Sequence, residues 1–189
     1  LSSLAAESGL SVQELVARQI QDMGMSFRIA GDDEEREWPL TPMPLLIGAQ
    51  EWAEVERGLI QRARLLEQLV ADIYGPQRLV REGHVPAAVI TGSRYFARAM
   101  GGLAPAGGHF VHVYAVDLAR GPRGQWRVLG DRLRLANGIG YALENRLALS
   151  RGTGALLSDI NARRLANFFG QLREGIAADC QREAPRIAL

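Results

Sequence analysis

Apolar residues recur three or four positions apart along one long stretch, at Trp52, Val55, Leu59, Ala63, Leu66, Leu69, Val70 and Ile73, and Gly75-Pro76 closes the run. This spacing predicts an amphipathic helix over residues 49–74. A shorter helix is expected near the start. There Ser11-Val12-Gln13-Glu14 has the form of a capping box, Val12, Leu15, Val16, Gln19 and Met23 follow at helical spacing, and Gly24 ends the pattern. Residues 26–29 read as a strand and 31–37 as an acidic surface loop. Residues 38–44 carry Pro39, Pro42 and Pro44, too many for a helix or a central strand.

After the long helix, short helical pieces are expected at 77–81, 86–90 and 93–100, then a small-residue loop over 101–108. The runs 109–118 and 125–133 are strand-like, and the connection Arg120-Gly121-Pro122-Arg123-Gly124 makes them an antiparallel hairpin. Residues 137–150 and 159–182 read as helices, the second with Leu165, Phe168, Phe169, Leu172 and Ile176 on its apolar side. The end, 184–189, looks like the opening of a strand. The expected fold class is α+β, an antiparallel sheet with covering helices. Residues 1–48 would supply a helix, a strand and a proline-rich loop, and 49–189 the helical and hairpin segment.

Composition narrows the chemistry. The chain has 189 residues, 47% apolar and 23% charged, as an ordinary globular protein does. Its 22 basic residues are all Arg, against 21 Asp plus Glu, so no basic face is expected and nucleic acid and membrane are poor candidate partners. Without Lys there is no ammonium for a phosphate or a Schiff base, and Arg must do such work. The single Cys180 excludes an internal disulfide, and His84, His109 and His112 give no zinc spacing. A reducing, cytoplasmic setting is expected. The chain begins at Leu1 and shows no leader pattern, which suggests an excerpt of a longer protein.

Several groups are candidates for chemistry. Asn137-Gly138-Ile139-Gly140 precedes a helix, where unobstructed N–H groups and the helix dipole favour an anion. A turn that tolerates positive φ explains the same glycines equally well. Along the second hairpin strand Gly130, Arg132 and Arg134 would share one face, with Leu129, Asp131 and Leu133 on the other. The two Arg suit a bidentate grip on phosphate or carboxylate, although a solvated Arg-rich edge has the same pattern. Asp117 lies in an apolar strand and needs a partner, either a metal or an Arg. Glu144 and Arg146 lie on the following helix. His109 and His112, three apart on a strand, would face opposite ways.

The order WPLTPMPLLIGAQEW, ERGLIQRARLLEQLVADIYGPQRLVREGHVP and HVYAVDLARGPRGQWRVLGDRLRLANGIGYALENR resembles the circularly permuted ATP-grasp family, whose members are often labelled relatives of glutathionylspermidine synthase. The similarity runs from about Gly24 to the C-terminus. It implies a partial permuted ATP-grasp-like domain of the ATP-dependent carboxylate–amine ligase class. Its cofactors would be ATP and Mg²⁺, and its partners a small carboxylate or peptide substrate and the remainder of the same polypeptide.

In that family the second hairpin strand carries V-L-E-D-N, whose Glu and Asn are Mg²⁺ ligands with an Asp from the preceding strand. The matching residues here are Val128-Leu129-Gly130-Asp131-Arg132, with Asp117 upstream as the remaining metal candidate. If the chain is such a ligase, Arg132 and Arg134 are expected on phosphate or substrate carboxylate, and Asn137, Gly138, Gly140 and Arg146 on the nucleotide. The resemblance also leaves a degenerate metal motif, with a pseudoenzyme or binding scaffold as the alternative.

Overall fold

Among the described residues, the helix nearest the N-terminus begins where two residues satisfy each other. Ser11 Oγ accepts the Glu14 N–H at 3.3 Å while the Glu14 carboxylate accepts the Ser11 N–H at 2.7 Å. The Ser11 N–H, and then the Ser11 hydroxyl, by donating to the Glu14 carboxylate hold it below the usual range. The protein is described here from a computed structural model that covers residues 11–134, 136–154, 156–180 and 185–186.

In chain order the elements are α1 (Val12–Asp22), β1 (Ser26–Arg28), β2 (Glu35–Glu37), α2 (Ala49–Tyr74), α3 (Arg78–Arg81) and α4 (Ala87–Thr91). A 3₁₀ turn (Arg98–Met100) follows, then β3 (Ala115–Arg120), β4 (Trp126–Arg132), α5 (Ile139–Thr153), α6 (Leu156–Asp159) and α7 (Ala166–Ala178). Helices thus combine with two small antiparallel sheets, β1–β2 and β3–β4, in an α+β arrangement. Contacts divide the chain into one unit of residues 1–46 with 137–169 and another of 47–136 with 170–189.

The first unit is centred on α1 and α5. Val16, Ile20 and Leu149 are buried together, with Met25, Trp38, Leu40 and Leu157 packed around them. The helices approach closely because residue 152 is Gly: a Cβ there would lie 2.8 Å from Val16 Cγ2 and 3.3 Å from the Val16 backbone. The segment expected as an acidic loop contains a strand, β2, which pairs with β1 from Ser26–Glu37 to Arg28–Glu35. The turn between them is closed by Asp32, whose carboxylate accepts the Glu34 N–H and the Arg36 guanidinium.

In the second unit α2 covers the residues that the apolar spacing predicts, 49–74, yet none of its residues is fully buried. From its last turn, the Asp72 carboxylate accepts the N–H groups of Arg78 and Leu79, which starts α3. Of the helix expected over 93–100 only the 3₁₀ turn forms. Ser93 takes the N–H of Tyr95 on its hydroxyl and that of Phe96 on its carbonyl, closing a turn instead.

The hairpin strands are shorter than the sequence suggests. Residues 109–114 lie outside β3, because Glu67 on α2 accepts the N–H groups of Phe110 and Val111 at 2.7 and 2.9 Å, donors a sheet ladder would need. Of the helix expected over 159–182, the described residues form α7 (Ala166–Ala178); α6 ends at Asp159, and Asn161 just beyond it has φ +50°. Residues 181–184 and 187–189 lie outside the described residues, and Pro185 and Arg186 belong to no element.

Within β3–β4, Asp117 pairs with Gly130 and Leu118 with Val128, so Leu129 has no partner. This bulge turns Leu129 outward, 70% exposed. It also shifts the alternation. Trp126, Val128 and Asp131 face α2, while Gly130 and Arg132 face the other way with Asp117. Leu129 and Asp131, expected on a common face, are therefore separated. Among the described residues no helix is long and apolar enough to cross a membrane.

Candidate functional site

The face of the hairpin turned away from α2 brings Asp117 and Arg132 together. Arg132 donates from Nε at 3.0 Å and from Nη2 at 2.7 Å to Asp117 Oδ2, and both side chains are about half exposed. Gly130 lies beside them, and a Cβ on it would stand 3.6 Å from Asp117 Oδ2. The carboxylate expected as a metal ligand thus already holds a cation. Among the described residues no three His, Cys, Asp or Glu side chains are grouped to hold a metal ion. The residues of this face do not fit Mg²⁺, which needs several hard oxygens and no guanidinium among them.

Arg134, two residues beyond Arg132, does not join that pair. Its guanidinium carbon lies 4.2 Å from the centre of the Tyr95 ring, and that of Arg94 lies 5.3 Å from the same ring. His112 Nδ1 stands 3.3 Å from the Asp179 carboxylate.

The opposite face of the hairpin is strapped to α2 by charged groups. Arg62 donates to both oxygens of Asp131 at 2.7 and 2.6 Å, and the Tyr114 hydroxyl donates to Asp131 Oδ1 at 2.7 Å. Hydrogen bonds from Arg62 and then Tyr114 hold the Asp131 carboxyl below its usual range. The Tyr114 phenol is pushed up to about 12, first by burial and then by its bond to Asp131. One turn from the N-terminus of α2, Glu51 Oε1 accepts Arg120 Nη2 at 2.6 Å and the Trp126 indole at 2.8 Å. Between these ties lies an open cleft of about 1090 Å³, lined by Val55, Leu59, Arg62, Leu118, Trp126 and Val128 among others.

Sequence reasoning missed Arg62, Tyr114 and Glu51. The signal was present: Glu51, Val55, Leu59, Arg62 and Leu66 follow one helical stripe, and charges on an apolar stripe need partners in the fold.

The other expected site residues, Asn137, Gly138, Gly140 and Arg146, belong to the first unit. Gly138 caps α5 with φ +99°, a conformation suited to glycine, and no side chain caps the helix. Gly140 has nothing within 4 Å of where a Cβ would stand. The unobstructed N–H groups at this terminus are compatible with a phosphate. Arg146 Nη1 donates to the Arg163 carbonyl at 3.2 Å. One turn into the same helix, Tyr141 stacks on Trp38 with ring centres 4.8 Å apart, and the Trp38 indole donates to Asn145 Oδ1 at 2.6 Å. No periodicity in the sequence marked Trp38 for this contact.

Residues 44–189 match the family described as circularly permuted ATP-grasp type 2. An uncharacterized protein of Mycobacterium leprae is 37% identical over 159 residues, which is 84% of this chain and 28% of that protein. An uncharacterized protein of Synechocystis is 35% identical over 155 residues, 81% of this chain and 32% of that protein. One of Mycobacterium tuberculosis is 34% identical over 142 residues, 75% of this chain and 16% of that protein. The chain spans less than a third of the length of these relatives.

Proposed function

The chain belongs to the circularly permuted ATP-grasp type 2 family, and from that premise we propose that it is part of an ATP-dependent carboxylate–amine ligase. The single observation that supports this reading is the family match over residues 44–189. The proposed chemistry transfers the γ-phosphoryl group of ATP to a carboxylate of a small acid or peptide, with ADP as the leaving group. An amine then attacks the acyl phosphate, forming an amide and releasing phosphate. In the family's usual pattern ATP comes with Mg²⁺. On this reading the protein is cytoplasmic and acts on a small molecule, with no nucleic-acid or membrane partner.

Within this reading Arg132 and Arg134 stabilise negative charge on phosphate or carboxylate oxygens, work that guanidinium does through paired N–H donors. Arg132 must first exchange Asp117 for the substrate anion. Asn137, Gly138 and Gly140 offer backbone donors to the nucleotide, and Arg146 adds a cation on the same helix. No step is assigned to a metal on the Asp117 face. Calorimetric titration of the full-length protein with Mg-ATP tests the proposal. Saturable binding below millimolar nucleotide is expected, and no binding in the millimolar range removes it.

A second reading is favoured by one contact, the Arg132–Asp117 ion pair where the family resemblance expects metal ligands. On it the fold is a pseudoenzyme or scaffold that binds an anion or a partner without turnover. It expects metal binding only after Gly130→Glu is combined with Arg132→Asn, and the first carbon of the new side chain would stand at an ordinary contact distance, 3.6 Å, from Asp117 Oδ2. Tight, Mg²⁺-dependent ATP binding by the unmodified protein would refute it.

A further inference from the structure

We propose that Tyr95, Arg94 and Arg134 form an oxyanion-binding site that takes the phosphate or carboxylate group of a small ligand without a metal. Both guanidinium carbons lie within cation–π range of one ring, at 5.3 and 4.2 Å. Two like charges gathered on one ring repel, so their juxtaposition needs a reason. Among the described residues neither Arg94 nor Arg134 has a carboxylate partner, as is common for an exposed arginine; what sets the two apart is the ring they share.

Contact with a ring face uses the charge of a guanidinium but satisfies none of its N–H donors. Both side chains thus keep their full set of donors for an anion, in the planar geometry that matches phosphate and carboxylate oxygens.

The platform is also held in place. The Ser93 hydroxyl accepts the Tyr95 N–H at 3.3 Å, and the Tyr74 hydroxyl accepts the Ala97 N–H at 3.2 Å. The Phe96 ring packs on Tyr74 with centres 5.4 Å apart. The turn that carries Tyr95 is therefore fastened to the last residue of α2, while Arg134 arrives from just past the end of β4. Tyr95 itself is 56% exposed, so a ligand can reach it. A ring fixed on one element with cations from two segments is a preorganised receptor, which lowers the ordering cost of binding.

The site shares Arg134 with the proposed ligase reading, but it requires neither nucleotide nor metal, so the two can fail separately. The test is calorimetry on the purified full-length protein in metal-free, low-salt buffer. Inorganic pyrophosphate is titrated in one arm and glutarate in the other, and preference between the arms identifies phosphate or carboxylate as the source. Either anion should bind, and Arg94→Gln, Arg134→Gln and Tyr95→Leu should each weaken it by about tenfold or more.

Tyr95→Phe keeps the ring and should retain binding within about threefold. That control separates loss of the platform from loss of fold, as do unchanged melting curves for the exposed Arg variants. Failure of both anions to bind at millimolar concentration, or binding unchanged in the Arg variants, overturns the proposal. Anion binding without Mg-ATP binding sustains it while removing the ligase.

Discussion

Asp131 is the residue whose environment most changes what its carboxylate does. With two N–H bonds from Arg62 and one O–H bond from Tyr114 it is held ionised, its pKa below the usual range. A depressed folded-state pKa stabilises the fold at pH above the unfolded value, about 4 for Asp, and that contribution is lost as pH falls through the folded value. Tyr114 behaves in the opposite sense. Its phenol is raised to about 12, so its contribution is complete below the unfolded value of about 10 and disappears as pH rises toward 12. Asp131→Asn should therefore flatten the acid limb of a Tm-against-pH curve, and Tyr114→Phe the alkaline limb, at a cost of about 1 kcal/mol near neutrality for the latter. An acid limb as steep in Asp131→Asn as in the parent would contradict this account.

At the scale of elements, the packing of α1 on α5 depends on the missing side chain at position 152. The added methyl of Gly152→Ala would meet the Val16 backbone, which cannot rotate away, so the helices must separate. A loss of roughly 1–3 kcal/mol is expected by thermal melting, and a stability equal to the parent would show that the helices slide at no cost. How far such elements can be read from sequence depends on what specifies them. The bounds of α2 were legible because eight apolar residues keep helical period over its whole length. Strand β2 was not, because Glu35, Arg36 and Glu37 are all exposed and have no apolar alternation to display. The loss of residues 109–114 from the hairpin was also hidden, since it depends on a Glu67 side chain more than forty positions away. For the candidate site, the common side of Gly130 and Arg132 followed from strand period, while Asp117 beside them was indicated by the family resemblance. The seating of Arg134 on Tyr95 required the tertiary fold.

At the scale of the whole molecule, the first unit is assembled from two stretches of chain separated by the bulk of the second. Val16 and Ile20 have Leu149 as their buried partner. A chain lacking residues 1–46 should then leave α5 without its cover, so that limited proteolysis cuts within 139–153 while the β3–β4 hairpin remains protected. Equal protection of α5 in the shortened chain would show that α1 is dispensable to it. The same separation sets a schedule during synthesis. At roughly 5–20 residues per second, α1 leaves the ribosome on the order of ten seconds before Leu149 exists to receive it. In that interval α2 and the hairpin, whose straps join nearer residues, have all their parts. Helix α1 thus waits for a partner made long after it, and until then its apolar side is what a nascent-chain chaperone would meet.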